Sequence, residues 1–127
     1  MRNLRGVYNS MIMCIFANPP VEYVAALIEA ATGHAFQLED LMLSGERMIA
    51  VKRVFNNRMG ITRKDDILPQ LLMKPLSEGG ARGNVPDLER QLREYYSFRG
   101  WDINTGRPSE AKLKQLGVGE FAAYLPN

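Results

Sequence analysis

The sequence has a single cysteine and a single histidine among its 127 residues. The lone cysteine, Cys14, excludes a disulfide within the chain and a metal site built only from cysteines of this chain. His34 has no partner at a spacing that would form a metal or acid–base site, and we interpret it as a turn residue. A reducing, cytoplasmic setting fits this cysteine content best.

The chain also lacks a long apolar run and a strong net charge. Its longest uninterrupted apolar stretch, Met11 to Ala17, is much shorter than the roughly 20 residues of a membrane-spanning helix. The formal net charge is +2, which is too small for a dedicated nucleic-acid binder. Asp65 and Asp66 dilute the basic residues that precede them. We therefore expect neither a membrane nor a nucleic acid as a partner.

Sustained strand alternation is absent as well, while apolar residues recur at helical spacing in several segments. The sequence therefore predicts an all-α fold. Because 127 residues are one domain's worth of chain, we expect residues 1–127 to form a single helical domain.

The longest predicted element is an amphipathic helix over about residues 38–58, which would organise the core. Two adjacent apolar stripes are assigned to its inner side, so that Ile49 and Phe55 are expected inside. Arg53 and Asn57 are expected on the opposite, solvent-facing side. The two stripes consist of Leu41, Met48, Val51 and Phe55, and of Leu38, Met42, Gly45 and Ile49.

Shorter helices are predicted on both sides of the long one. Glycines at helix ends and acidic residues at helix starts mark their limits. The predicted elements are a helix over 21–32 ended by Gly33, short turns over 62–76, a loop over 77–86, a helix from Asp87 to Arg99 ended by Gly100, and a short helix from Pro108-Ser109-Glu110 to Gly117.

Two polar or aromatic clusters are best explained as structural. Arg63-Lys64-Asp65-Asp66 is interpreted as a polar turn whose carboxylates cap the short helix that follows it. Aromatic side chains after the loop are expected to pack against the long helix rather than stack on a ligand. These aromatic residues are Tyr95, Tyr96, Phe98 and Trp101.

Three segments in fixed order resemble the C-terminal portion of the tungsten-dependent aldehyde:ferredoxin oxidoreductases. They are Phe55–Pro69, Glu94–Asp102 and, far upstream, Cys14. The resemblance runs from Asn9 to about Leu116. It implies an enzyme that oxidises aldehydes to carboxylic acids on a tungsten (or molybdenum) bis-pterin centre. It also implies electron transfer through a [4Fe–4S] cluster to ferredoxin.

The same resemblance implies two site residues. The family motif D-x-x-G-L-C corresponds to Asn9 through Cys14, and its cysteine is the last of four thiolates on the cluster, as such a cluster requires. Cys14 is thus implied as a metal ligand, and Asn9 as a pterin-binding residue in place of the family's acid. Ile12 stands where the family has glycine, and Met13 where it has leucine. We expect these departures to affect pterin binding more than cluster ligation.

The 127-residue chain alone is expected to be inactive and to hold no cofactor, since it has one thiol for a four-thiolate cluster. Its expected partners are the remaining domains of the parent enzyme or a partner subunit. A cofactor-free helical protein-interaction module derived from that family is the alternative. The apolar stretch from Met11 to Phe16 is expected to be exposed, so the chain could also form homo-oligomers through it.

Overall fold

The computed structural model describes residues 2–14 and 16–126, and within these residues it contains helices and turns but no strand. The all-α prediction is confirmed. None of the helices in this described part is long and apolar enough to cross a membrane. The helices are α1 (Arg2–Ser10), α2 (Val21–Thr32), α3 (Leu38–Arg58), α4 (Leu88–Arg99) and α5 (Glu110–Gln115), with 3-10 turns at Arg63–Asp65, Gln70–Met73 and Gly119–Tyr124.

Local capping explains why these helices begin and end where the sequence predicts. Gly33 adopts the left-handed conformation that ends α2, with φ of 74°, and its N–H donates to the Glu29 carbonyl. The Asp87 side chain accepts from the backbone N–H of Arg90 and so serves as the N-cap of α4. Ser109 does the same for α5. The first helix, α1, and the last 3-10 turn were not predicted.

The long helix α3 has the predicted bounds and contributes to every hydrophobic cluster of the described residues. One cluster joins it to α1 and α2, a second to α5 and the last turn, and a third to α4. The buried members are Val7, Tyr8, Val24 and Leu41 in the first, Ala50, Val54, Leu113 and Leu116 in the second, and Ile49, Tyr96 and Trp101 in the third.

The predicted orientation of α3 is wrong over its second half. Arg53 is only 7% exposed and Asn57 only 2%, whereas Phe55 is 61% exposed. The buried series Gly45 and Ile49 continues at four-residue spacing to these two polar residues, because successive i+4 positions share one helix face. The apolar stripes predicted residue 53 on the solvent side, but an ion pair described below makes the burial of Arg53 possible.

The first helix lies directly against the backbone of α3. Gly45 is buried, and a Cβ added to it would lie 2.6 Å from the Asn3 carbonyl carbon. Gly6 faces Gly45 across the same contact. The two helices therefore approach more closely than a larger side chain at Gly45 would allow, which positions α1 on α3.

The turns and loop predicted between α3 and α4 are confirmed. Thr62 donates its backbone N–H to the Asp65 carboxylate, so Asp65 caps the 3-10 turn that contains it. The predicted capping of the next short helix is wrong, because Gln70–Met73 follows Pro69 without a side-chain cap. Asp66 does not cap a helix but turns toward α3. In the loop, an isolated bridge pairs Leu76 with Arg82.

Candidate functional site

The segment that carries Asn9 and Cys14 is the reversal at the end of α1. Met13 N–H donates to the Tyr8 carbonyl at 3.0 Å, and Ile12 N–H donates to the Asn9 carbonyl at 3.2 Å. These are the two crossing bonds of a Schellman motif, in which the residue before the last takes a left-handed conformation. That residue is Ile12, with φ of 58°.

A β-branched residue in this conformation is sterically unfavourable. Ile12 is also 92% exposed, so packing on the described residues does not compensate for the strain. Glycine at this position would adopt the same backbone without a Cβ clash. The glycine of the family motif therefore has a local explanation in the helix-ending turn.

The reversal packs the side chain of Met13 against a hydrophobic cluster and leaves that of Cys14 exposed. Met13 packs against the cluster that contains Tyr8, while Cys14 is exposed with a free thiol. Phe16 is 94% exposed. The predicted exposure of the Met11–Phe16 stretch is thus correct for some of its residues and wrong for the half-buried methionines; Ile15 lies outside the described residues.

Asn9 lies on the rim of a cavity of about 210 Å³ between α1 and α3. The floor of the cavity includes the buried side chains of Ile49, Arg53 and Trp101. Cations and amides make up most of the remaining wall. The other lining residues are Arg2, Arg5, Gly6, Lys52 and Asn56.

One of the cavity's cations belongs to a buried polar cluster, the Arg53 clamp, formed by Arg53, Asp66, Tyr96 and Gly106. Arg53 donates to both carboxylate oxygens of Asp66, at 2.9 and 2.7 Å, and through Nε to the Gly106 carbonyl at 2.7 Å. The Tyr96 hydroxyl donates to the same carboxylate. Two parallel bonds from a guanidinium to a carboxylate are a strong and directional arrangement.

The Arg53 clamp shifts the pKa of both of its acidic groups, Asp66 and Tyr96. Burial would raise the pKa of Asp66, but the hydrogen bonds from Arg53 and Tyr96 and the charges of Arg53 and Arg63 outweigh it and lower the pKa. Burial, together with the hydrogen bond to the Asp66 carboxylate, raises the pKa of Tyr96 to about 12. At neutral pH the cluster is therefore an arginine–aspartate ion pair with a protonated tyrosine.

Gly106 is required by the clamp for a steric reason. Its φ is 68°, and a Cβ at this position would overlap the guanidinium of Arg53 and lie 3.1 Å from the Tyr96 hydroxyl. The Arg53 clamp thus joins α3, the turn before Ile67, α4 and the turn that ends at Arg107. Asp66 and Tyr96 lie inside the segments of family resemblance Phe55–Pro69 and Glu94–Asp102, which agrees with a structural role.

The structure separates the two predicted site residues by the reversal of the chain. Asn9 lines the cavity, and Cys14 lies on the turn that follows. Among residues 2–14 and 16–126, no three or more histidine, cysteine or acidic side chains come together as a metal site. His34 is exposed just after α2, where its N–H donates to the Thr32 hydroxyl.

Sequence reasoning missed the partners of Arg53, although one signal was present. The i+4 continuation from Ile49 placed Arg53 on the buried face, and a buried arginine requires a carboxylate. Asp66 follows the capping Asp65, and these two are the first acidic residues after the end of α3. The aromatic cluster was predicted correctly for Tyr96 and Trp101 but not for Phe98, which is 78% exposed.

Residues 1–118 match the protein family described as "Aldehyde ferredoxin oxidoreductase, domains 2 & 3". The chain is 42% identical over 97 residues to a tungsten-containing aldehyde ferredoxin oxidoreductase of Pyrococcus abyssi, covering 75% of this chain and 16% of that protein. It is 36% identical over 124 residues to the Pyrococcus horikoshii protein of the same name, covering 94% and 20%. The chain therefore spans about a fifth, or less, of the length of these curated relatives.

Two further similarities are to a relative with a different named activity and to a solved structure. An "Aliphatic sulfonate oxidoreductase, WOR-like subunit" of Pyrococcus furiosus is 30% identical over 127 residues, covering 92% of this chain and 20% of that protein. Among solved structures, the active site complex BamBC of benzoyl coenzyme A reductase matches with a TM-score of 0.66. That match covers 83% of this chain and 15% of the other at 24% identity, so it concerns the fold alone.

Proposed function

Since the chain belongs to the aldehyde ferredoxin oxidoreductase family, we propose that it acts as the C-terminal part of an enzyme that oxidises aldehydes to carboxylic acids. Electrons would leave through a [4Fe–4S] cluster to ferredoxin. The relatives with the higher identities are named for aldehydes, and the more distant one for sulfonates, which favours an aldehyde as substrate. The partners would be the remaining domains of the parent enzyme or a separate subunit.

In this proposal Cys14 supplies one thiolate of the cluster. The observation that carries the proposal is the Schellman reversal, which buries part of Met13 and leaves the thiol of Cys14 exposed for ligation from outside the chain. A cluster needs four such donors, and this chain has one cysteine. The other three thiolates would therefore come from another part of the protein.

Asn9 is the proposed contact to the pterin. Its amide lies at the rim of a cavity whose lining contains cations and no carboxylate, an environment that suits a polar, electron-rich heterocycle. When bound, the tungsten–pterin centre would supply the redox chemistry, which amide and guanidinium side chains lack. The part of this chain is to bind and orient, and an amide offers a weaker, uncharged bond than the family's carboxylate.

A chimeric enzyme tests the role of Cys14. The aligned region of the Pyrococcus horikoshii relative is replaced by this chain, and the protein is purified without oxygen. We expect stoichiometric cluster iron and its electron paramagnetic resonance signal, both lost in Cys14→Ser. The matched control is Met13→Leu, which restores the family's residue next to the ligand and should keep the iron. Full cluster content in Cys14→Ser would disprove the ligand assignment.

The same chimera tests Asn9. Restoring the acid with Asn9→Asp should raise tungsten and pterin content severalfold, because a carboxylate makes a charge-assisted bond. Asn56→Asp, which alters another amide of the same cavity, is the control and should leave both unchanged. Equal effects of the two substitutions would mean that the cavity responds to charge in general and that Asn9 has no special role.

A cofactor-free interaction module is the second candidate, favoured by the exposed apolar side chains of Ile12 and Phe16. It predicts a chimera that folds but holds no cluster iron. It also predicts that the 127-residue chain self-associates, and that Ile12→Glu with Phe16→Glu abolishes the association in sedimentation experiments. Leu71→Glu, at an equally exposed apolar position elsewhere, is the control. A strictly monomeric wild-type chain would rule out self-association through this surface.

We also propose that residues 1–127 form one domain. The support is α3, which contributes to each of the three hydrophobic clusters. A single domain unfolds in one cooperative step that all probes report alike. Trp101 fluorescence and far-ultraviolet circular dichroism should therefore give the same transition, and two separated transitions would contradict the proposal.

A further inference from the structure

We propose that the cavity between α1 and α3 is a binding site for a small oxyanion of the phosphate class. The cavity is lined by Arg2, Arg5, Lys52 and Arg53 together with the amides of Asn9 and Asn56, and none of its lining residues is acidic. Guanidinium and ammonium groups are the side chains that proteins use to bind phosphate. The inference requires no tungsten or iron, but it concerns the same cavity as the pterin contact proposed for Asn9 above, so the oxyanion and the pterin would share one site.

The charge of this cavity is left uncompensated by the described part of the chain. Arg53 is neutralised by Asp66, but no ion pair involves Arg2, Arg5 or Lys52 among residues 2–14 and 16–126. Like charges that share one concave, partly buried wall raise each other's energy. A bound dianion would offset this repulsion, and the concave shape focuses the positive potential at the cavity.

Two of the cationic side chains are held in place before any anion arrives. Arg53 is fixed by the bidentate bond to Asp66 and by the Gly106 carbonyl. Arg2 donates to the Tyr95 hydroxyl at 2.9 Å and lies 5.2 Å from the centre of that ring. Because their positions are already fixed, binding costs less side-chain entropy than it would on a mobile basic surface.

The dimensions favour a small anion over a polymer. The cavity holds about 210 Å³ and is bounded below by Ile49 and Trp101, so it admits a compact group rather than a nucleic-acid backbone tracking across a surface. Lys52 and Arg5 at the wall can each donate to a separate oxygen, which is the requirement for a tetrahedral oxyanion. This size and donor set identify phosphate, or the phosphate group of an ester, as the ligand class.

The chain contains its own reporter for the test, because its only tryptophan is Trp101 in the cavity floor. The 127-residue chain is titrated with inorganic phosphate at constant pH, with sodium chloride adjusted to keep the ionic strength constant. We expect a saturable change in Trp101 emission and none with chloride alone. A response that is linear in phosphate, or equal in chloride, would overturn the proposal.

Matched charge removals make the test specific. Lys52→Gln should weaken phosphate binding about tenfold, the loss expected for one charge-assisted bond, and Lys52→Arg should restore it. Lys64→Gln removes the same charge from an exposed side chain outside the cavity and should leave binding unchanged. Equal weakening by Lys52→Gln and Lys64→Gln would mean that only net charge matters, and the site would be refuted. Lys52 is exposed, so circular dichroism should show both variants folded.

Discussion

The end of α1 and the Arg53 clamp differ in whether their polar and strained groups have partners within the chain. In the clamp, the buried charge of Arg53 has its partners within the chain, in Asp66 and the Gly106 carbonyl. At the end of α1, a strained Ile12 and the thiol of Cys14 are exposed, without such partners among residues 2–14 and 16–126. Two segments of family resemblance, Phe55–Pro69 and Glu94–Asp102, contribute Asp66 and Tyr96 to the clamp, whereas the α1 end departs from the family motif at several positions. The proposed cofactor contacts, in contrast, lie in the α1 end.

Removal of the Arg53 guanidinium should cause the largest loss of stability. Arg53→Ala removes both guanidinium bonds to Asp66 and the bond to the Gly106 carbonyl. The Asp66 carboxylate keeps the Tyr96 hydroxyl as a donor. We expect a loss of about 3–5 kcal/mol in the free energy of unfolding. Lys52→Ala, one residue away but exposed, should change it by no more than about 0.5 kcal/mol. Urea unfolding of both variants measures the difference. Similar losses at the two positions would show that Arg53 is not held as described.

Alkaline pH should weaken the clamp without any mutation. The pKa of Tyr96 is raised to about 12 in the folded chain from an ordinary value of 10.0, so the unfolded chain loses this proton first. Stability from this group is fully present below about pH 10 and declines up to about pH 12, by roughly 2–3 kcal/mol in total. The free energy of unfolding, measured across this range, should show the decline in wild type and a smaller one in Tyr96→Phe. Identical declines would contradict the assignment.

The contact of Gly45 with the backbone of Asn3, which positions α1 on α3, should have the next largest effect on stability. In Gly45→Ala the added Cβ would clash with the backbone of Asn3, and overpacking of this kind costs about 1–3 kcal/mol. Gly80→Ala is a suitable control, since nothing lies within 4 Å of the added atom. Thermal unfolding should show a lower midpoint for Gly45→Ala only. An unchanged midpoint would mean that α1 can move away from α3 at little cost.

The smallest effect on stability is expected at Ile12, and there the substitution should stabilise the fold. Ile12→Gly removes a Cβ from a left-handed residue that packs on nothing in the described chain, and we expect about 1 kcal/mol of stabilisation. Ile12→Ala keeps a Cβ and should gain less. Chemical denaturation of the two variants gives the comparison. Destabilisation by Ile12→Gly would show that the isoleucine side chain makes a contact that offsets its backbone strain.

The sequence was sufficient where structure is determined locally. Helical periodicity gave the bounds of α3, and cap residues such as Gly33 and Asp87 gave the ends of its neighbours, because these signals act within one or two turns. The Arg53 clamp could not be predicted in the same way. Its bonds join residues 13, 30 and 53 positions apart, and hydrophobic pattern alone assigned Arg53 to solvent.

The candidate site could be predicted from the sequence only in part, for a related reason. Asn9 and Cys14 came from the resemblance to a family motif. The basic cavity draws its walls from α1, α3 and Trp101, which are far apart along the chain. No local pattern marks Arg5 and Lys52 as neighbours, because their proximity follows from the glycine contact between the two helices.

The long separations within the Arg53 clamp have a kinetic consequence. Closing loops of this size requires entropy to be lost before any bond is gained, so the clamp should assemble late, after α3 has gathered its local contacts. Interactions absent from the folding transition state govern how fast a protein unfolds. Arg53→Ala should therefore accelerate unfolding in stopped-flow experiments and leave the refolding rate nearly unchanged, so that the lifetime of the native state depends on one guanidinium group.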